Sequence, residues 1–309
     1  MSVTAPPDKP VVRLGDRLFA GTARVAALTI MLALAGVFVF LAIEGAPCLS
    51  APAAIYRPFD DFWSYVGPLV FGTVLAAVVA LVIAVPFSIG VALFISHYAP
   101  PRIATPVAYV IDLLAAVPSV VFGLWGGLAL AQAMKPVMDW LFDNLSFIPF
   151  FAGPPSVTGR TMLTAGIVLA IMVVPITTAI SREVFAQTPR LHEEAAMALG
   201  ATRWEMIRLA VFPYARSGIV SAVMLGLGRA LGETMAVAMV LSASGVVTFN
   251  LISNTNPSTI AANIALKFPD STGLAVNALV ASGLVLFVIT FAVNFAARWV
   301  VSRSQRAQA

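Results

Sequence analysis

Charged residues are scarce in this sequence. Asp, Glu, Lys and Arg make up 10% of the 309 residues and hydrophobic residues make up 60%, which argues strongly against a water-soluble domain. Long apolar runs fill most of the chain instead, and a run of roughly 20 residues suffices for a helix to cross a bilayer. We predict an all-α integral membrane protein with six transmembrane helices, at about residues 25–43, 68–95, 105–134, 162–181, 217–244 and 275–297.

Residues that commonly carry chemistry are also few. The single cysteine, Cys48, has no partner for an intramolecular disulfide, and we expect an inert thiol. The two histidines are far apart, so a zinc site has little support although Glu193 and Glu194 follow His192, and we expect His97 at the membrane interface. None of the three lysines follows a glycine, so the glycine-rich ATP-binding loop is absent. An enzyme is therefore disfavoured, and we expect no catalytic residue, metal or cofactor in this chain.

Basic residues are distributed unequally between the two sides of the predicted membrane. Thirteen Lys and Arg lie in the tails and in the loops after the second and fourth spans, whereas four lie in the alternate loops. This bias predicts that both termini are cytoplasmic. It also explains the net charge of +4, so the charge does not indicate nucleic-acid binding. The predicted organisation is a disordered tail (1–20), a first span with its outer loop (21–66), a core of five spans (67–300) and a second tail (301–309).

The loop after the fourth span, about residues 182–216, is patterned like a folded element. A Thr-Pro pair at 188–189 and two following glutamates indicate a helix start, and Gly200 is suited to end that helix in the left-handed region. A second short helix is predicted over 203–211, ended by Pro213. Two short helices at an angle would form a rigid protrusion on the cytoplasmic side.

Part of this loop is similar to a known motif. Glu194-Ala195-Ala196, Gly200, Ile207 and Pro213 resemble the "EAA…G…I…P" loop of permease subunits of ABC importers. In that family the loop forms a coupling helix that docks on a separate ATPase. The resemblance assigns coupling to Glu193, Glu194, Ala195, Ala196, Gly200, Trp204, Ile207 and Pro213. The other interpretation is an amphipathic helix on the membrane surface, but five Arg against four Glu argue against a lipid-binding face.

Three further strings narrow the resemblance. "IDLLAAVPSVVFGLWG", "IVLAIMVVPITTAISREVF" and "MLGLGRALGETMAV" resemble the PstC-type permease of phosphate-specific ABC importers. The resemblance implies a type I importer permease fold in the bacterial inner membrane and the import of inorganic phosphate. It also implies a heterodimer with a homologous second permease, two ATPase subunits that bind ATP and Mg, and an extracytoplasmic phosphate-binding protein.

Arg229 and Glu233 stand out within the apolar fifth span. At i and i+4 they would share one helix face, where a salt bridge is geometrically available. One interpretation is an internal ion pair at a packed interface, because Gly228 and Gly232 form a G-x-x-x-G pattern. The other is that Arg229 faces the permeation route and binds a phosphate oxyanion, with Glu233 holding its guanidinium. The cost of about 2.5 kcal/mol or more for each embedded charge favours the second.

Asp112 is the third charge within a predicted span. It either pairs with Arg229 across the bundle or lies solvated near the cytoplasmic interface, and its nearness to the start of the span favours the second. Proline removes a backbone hydrogen bond, so Pro86, Pro118 and Pro175 are predicted to interrupt the second, third and fourth spans.

The outer segment, residues 250–273, is polar and rich in turn-forming residues. It is either a docking surface for the binding protein or a plain external loop, with a short helix over 260–268.

The alternative to an ABC permease is a stand-alone secondary transporter or anion channel that uses the three embedded charges. Such transporters often contain inverted repeats, and we see none here. A membrane assembly factor is a third, more distant class.

Overall fold

The computed structural model describes residues 14–306, and helices dominate this part of the chain. Three π-helical turns, at Phe94–Tyr98, Gly126–Leu130 and Ile207–Val211, each continue or connect longer helices. The α-helices are α1 (Leu14–Gly45), α2 (Phe62–Leu93), α3 (Pro101–Ala116), α4 (Ser119–Trp125), α5 (Ala131–Leu145), α6 (Met162–Ala186), α7 (Arg190–Ala198), α8 (Arg203–Met206), α9 (Phe212–Gly232), α10 (Met235–Val240), α11 (Ile260–Lys267) and α12 (Leu274–Arg306).

Within residues 14–306, six helical stretches are long and apolar enough to cross a membrane, which confirms the predicted number of spans. Four of them agree with the predicted positions, and the third and fifth differ. They cover Gly15–Ser50, Phe62–Tyr98, Ser119–Leu145, Met162–Ala186, Arg203–Gly232 and Leu274–Trp299.

The third span begins later than predicted because the chain breaks at Val117. Val117 has ψ 128°, which is extended, and α4 starts directly after Pro118. A proline disfavours the α conformation in the residue before it, and this separates α3 from the span. Pro86 and Pro175, by contrast, lie inside the continuous helices α2 and α6, so the prediction that they interrupt their spans is wrong.

The fifth span also differs at both ends. It begins at Arg203, so the predicted short helix is its first part, and Pro213 does not end it. The π turn just before Pro213 changes the hydrogen-bond register where the proline has no N–H to donate. The span ends at Gly232, well before the predicted residue 244, because Glu233 is extended with φ −69° and ψ 126°.

Helices occupy part of both predicted tails. Helix α1 begins at Leu14, so the expected disorder of residues 1–20 is wrong for residues 14–20, while residues 1–13 lie outside the described part. The sequence contains no proline between Pro10 and Pro47, so no proline interrupts a helix that starts at Leu14. Helix α12 likewise extends through Arg306 into the second predicted tail.

The main core forms where α2, α4, α6 and α10 meet. Helices α2 and α6 lie along each other, and Gly166 permits the approach, because a Cβ there would lie 2.3 Å from Val79 Cγ1. The core includes Leu75 and Ala80 of α2, Phe122 of α4, Leu169 of α6 and Val237 of α10. Helix α1 packs only along the edge. Its most apolar stretch of 18 residues is 0% buried, whereas the corresponding stretch of the fourth span is 61% buried.

The outer segment 250–273 is mostly an internal element. Its helix α11, Ile260–Lys267, confirms the predicted short helix. Asn256 is fully buried, its backbone carbonyl accepts from Ser244 N at 2.9 Å, and Thr73 Oγ1 of α2 accepts from Ile260 N at 3.0 Å. A plain external loop is therefore wrong for most of residues 251–263, which are buried apart from Asn254 and Thr255. Asn254, Thr255 and the end of the segment, around residues 266–273, are largely exposed.

Candidate functional site

Arg229 lies on the last turn of the fifth span and is half-buried. Its Nε is a buried atom without a hydrogen-bond partner within residues 14–306. The residue lines a cleft of about 660 Å³ between α6, α9 and α12, together with Ser221, Asn294 and Arg298. A buried donor that is left unpaired is unfavourable, so the site is suited to an acceptor supplied from outside the chain.

Glu233 does not pair with Arg229. The helix ends between them, and the Glu233 carboxylate instead accepts a hydrogen bond from Ala236 N at 3.2 Å, capping the first turn of α10. In the described part of the chain, no salt bridge joins the two residues. The predicted i, i+4 ion pair is therefore wrong, because the extended backbone at Glu233 removes the shared helix face.

Gly228 and Gly232 do not form a helix contact with any residue in the range 14–306. A Cβ built on either glycine would meet nothing within 4 Å. The close approach of α9 to α6 occurs instead at Gly226 and Gly218, where a Cβ would lie 2.7 Å from Val173 Cγ1 and 2.5 Å from Val184 Cγ1. Small residues at every fourth position, Gly218, Ala222, Gly226 and Ala230, were the signal in the sequence for this face.

Asp112 lies away from Arg229, near the end of the fourth span. It belongs to α3, which precedes the third span, and Arg182 Nη2 lies 3.9 Å from its Oδ2. The Asp112 side chain is 52% exposed, as the preferred prediction of a solvated carboxylate requires. An exposed ion pair of this kind contributes at most about 1 kcal/mol to stability.

The loop between the fourth and fifth spans contains the predicted helix and turn. Helix α7 is followed by Gly200 with φ +87°, which confirms the left-handed glycine, since this conformation is unfavourable for other residues. Thr202 and Glu205 then form a reciprocal capping box that starts the fifth span. The end of α7 is therefore fixed by a left-handed glycine, and the start of the fifth span by hydrogen bonds between side chains and backbone.

The residues assigned to coupling divide into an exposed and an inward-facing group. Glu194, Ala195, Gly200, Trp204 and Pro213 are exposed. Together with Leu191 and Leu199, which are 73% and 90% exposed, they form a surface that we call the docking surface. Inward-facing are Glu193, Ala196 and Ile207.

Ile207 is fully buried in a small core beneath the docking surface. This core joins the ends of the second and fourth spans to the start of the fifth, through Leu93, Phe185, Met206 and Val211. Ile207 thus holds the docking surface in place and has no face with which to contact a partner.

Sequence reasoning missed the role of His97. We expected it at the membrane interface, but its side chain is 9% exposed and its Nε2 lies 3.6 Å from Glu193 Oε1 on α7. The two residues are separated by two spans in the sequence, so no local pattern could have paired them. Cys48 is free and buried, and no metal-binding group of three or more His, Cys, Asp or Glu occurs in the described residues.

Residues 84–306 match the family described as binding-protein-dependent transport system inner membrane component. The chain is 45% identical to "Phosphate transport system permease protein PstC 2" of Mycobacterium tuberculosis, over 96% of this chain and 97% of that protein. It is 37% identical to "Phosphate transport system permease protein PstC" of Haemophilus influenzae, over 94% of each.

Solved structures show a similar fold at low sequence identity. One is a bacterial ABC transporter involved in the import of the acidic polysaccharide alginate, with a TM-score of 0.56 and 17% identity over 93% of this chain and 99% of that chain. Another is an inward-facing MetNI methionine ABC transporter, with a TM-score of 0.52 and 18% identity over 77% of this chain and 94% of that chain.

Proposed function

The chain belongs to the family of binding-protein-dependent transport system inner membrane components, and we propose that it carries inorganic phosphate into the cytoplasm. Membership makes it the permease subunit of an ABC importer, with the type I importer fold, and such a subunit translocates solute without catalysing a reaction. The observation that carries the phosphate assignment is the 45% identity, over nearly the whole of both chains, to proteins named as phosphate transport permeases.

Arg229 is the residue that we assign to phosphate. A guanidinium offers a planar fork of N–H donors that matches two oxygens of a phosphate group. The unpartnered Nε leaves this fork available, and Glu233 does not neutralise it, because its carboxylate is engaged at α10. The role of Glu233 is then to fix the break that ends the span. We assign no phosphate contact to Asp112, because a carboxylate repels the anion and pairs here with Arg182.

The proposed assembly follows from the docking surface. As a permease of this family, the chain works in a membrane complex with an ATPase. We propose that the docking surface binds that ATPase on the cytoplasmic side, which places both termini in the cytoplasm because six spans separate them. We further propose two ATPase subunits, a homologous second permease and an extracytoplasmic phosphate-binding protein.

Uptake of radiolabelled phosphate tests the proposal. Vesicles would contain the complex of this chain with its second permease and ATPase, with binding protein and phosphate outside and ATP inside. We expect Arg229→Gln to lower uptake by about 100-fold, because a charge-assisted contact in a half-buried site is lost, while the ATPase still co-purifies.

The matched control is Arg216→Gln. Arg216 lies on the same helix but is exposed, and we expect uptake close to that of the unchanged protein. Undiminished uptake by Arg229→Gln would refute the phosphate contact. Uphill uptake by this chain without any ATPase would refute the importer and support a stand-alone transporter.

A further inference from the structure

His97 lies where three elements of the permease meet. It belongs to the π turn Phe94–Tyr98 that ends the second span, and its ring packs edge-on against Phe185 of the fourth span with centroids 6.3 Å apart. Its Nδ1 lies 2.7 Å from Ser96 Oγ and its Nε2 lies 3.6 Å from Glu193 Oε1. The imidazole is therefore held on one side by the spans and directed on the other toward α7.

Glu193 is the part of α7 that reaches inward. Its side chain is 25% exposed, whereas the neighbouring residues Glu194 and Ala195 face outward on the docking surface. The first turn of α7 thus directs the Glu193 carboxylate toward the membrane-spanning part. Tyr98, Glu194 and Arg203 line the small cleft of about 340 Å³ that surrounds the His97–Glu193 contact.

We infer that His97 and Glu193 form a latch that makes the second span follow the movement of α7 when the ATPase moves it. The inference rests on the proposed function. It adds His97 as a positioning residue, which is not among the residues assigned to coupling. Apolar contacts below the docking surface are non-directional, whereas the attraction between the His97 imidazole and the Glu193 carboxylate, 3.6 Å apart and partly buried, acts between two defined groups. The second span packs along the fourth, so force on His97 reaches the core directly.

A latch and a merely stabilising contact differ in what they control. Loss of a stabilising contact would lower the amount of complex, and the complex that remains would work normally. Loss of the latch would leave a complete complex that hydrolyses ATP without moving the spans. The quantity that separates the two is the number of phosphate ions taken up per ATP hydrolysed.

Two substitutions of His97 each remove one of its contacts with Phe185 and Glu193. His97→Phe keeps a ring against Phe185 but has no N–H for Glu193, whereas His97→Gln keeps a donor without the ring. In vesicles containing the full complex, we expect His97→Phe to lower phosphate uptake per ATP by about tenfold, in the range of known coupling effects. We expect His97→Gln to keep most of the ratio, and both variants to retain the ATPase.

The exchanged pair, His97→Glu with Glu193→His, is the internal control. It restores one donor and one acceptor, and we expect it to regain most of the ratio that each single change loses. An unchanged ratio in His97→Phe, or an equal loss in His97→Gln, would overturn the latch. Failure of the unchanged complex to bind an ATPase or to require ATP would instead contradict the proposed function.

A cross-link keeps the inference testable if His97→Phe does not assemble. Cysteines would replace His97 and Glu193 in a Cys48→Ala background, so that this chain has no other thiol. Joining them with a short bis-thiosulfonate reagent should raise the uptake per ATP above that of the untreated double variant. No increase after complete cross-linking would overturn the latch.

Discussion

The two ends of the fifth span differ in how their polar groups are satisfied. At Arg203 the helix starts with a reciprocal capping box and rests on the buried core around Ile207. At Gly232 it stops before an extended glutamate, and one turn earlier Arg229 Nε has no hydrogen-bond partner among the described residues. At the first end the polar groups are satisfied within the chain, so this end is a fixed support. At the second end a hydrogen-bond donor is left for a ligand to satisfy.

The largest effect is expected from removing the support. Ile207→Ala deletes a fully buried side chain, and we expect a loss of about 2–5 kcal/mol in stability of this region, because a cavity remains. Thermal unfolding of the purified chain and capture of the ATPase would both report it. Leu209→Ala is the matched control, since Leu209 lies in the same π turn but is 67% exposed. Equal losses in the two variants would contradict the supporting role of the core.

A smaller effect is expected at the open end. Arg229→Lys keeps the positive charge but loses the planar fork, so we expect phosphate uptake to fall by about tenfold, less than for Arg229→Gln. Stability should not fall, because no contact within the described chain depends on the guanidinium Nε. Initial rates over a range of phosphate concentrations would measure the change. Full activity with lysine would show that charge alone suffices.

The capping threonines allow the two ends to be compared directly. Thr202 accepts a hydrogen bond from Glu205 N at 3.3 Å, whereas Thr234, before α10, makes no side-chain cap. We expect Thr202→Ala to lower stability by about 1 kcal/mol and Thr234→Ala to lower it less. Chemical denaturation in detergent would measure both. A larger loss for Thr234→Ala would reverse the assignment of which end is fixed.

Much of the fold could be predicted from the sequence because the relevant signals are local. The length of each apolar run determines the number of spans, and Gly200 marks the predicted end of α7. These features depend on residues only a few positions apart. The predicted helix over 260–268 was right for the same reason.

The prolines alone did not predict where helices break: the predicted break at Pro118 is confirmed, and those at Pro86 and Pro175 are wrong, because the outcome depends on neighbouring helices. Pro86 and Pro175 lie in α2 and α6, which support each other and are joined by the Thr178 hydroxyl, 3.4 Å from the Ser88 carbonyl. Pro118 follows α3, where Ile111 is the only buried residue, and there the chain breaks. The same amino acid therefore has different outcomes according to its packing.

The candidate site was identified by its charges but not by its geometry. Arg229 and Glu233 have the spacing of a helical ion pair, and only the backbone at Glu233 shows that they do not form one. The His97–Glu193 contact could not be found from sequence either, since its two residues are distant in the chain. Both errors concern contacts that tertiary structure alone decides.

The smallest predicted effect concerns Gly228, next to the candidate phosphate-binding residue. A Cβ there meets nothing within 4 Å, so Gly228→Ala should stabilise the helix of the isolated chain by about 0.5–1 kcal/mol through lower backbone entropy. Gly226→Ala is the matched control, because its Cβ would lie 2.7 Å from Val173 Cγ1, and it should destabilise. Melting temperatures of the two variants would decide the point. Destabilisation by Gly228→Ala would mean that α9 is packed near Arg229, and the open end would then be no more accessible to a ligand than the capped one.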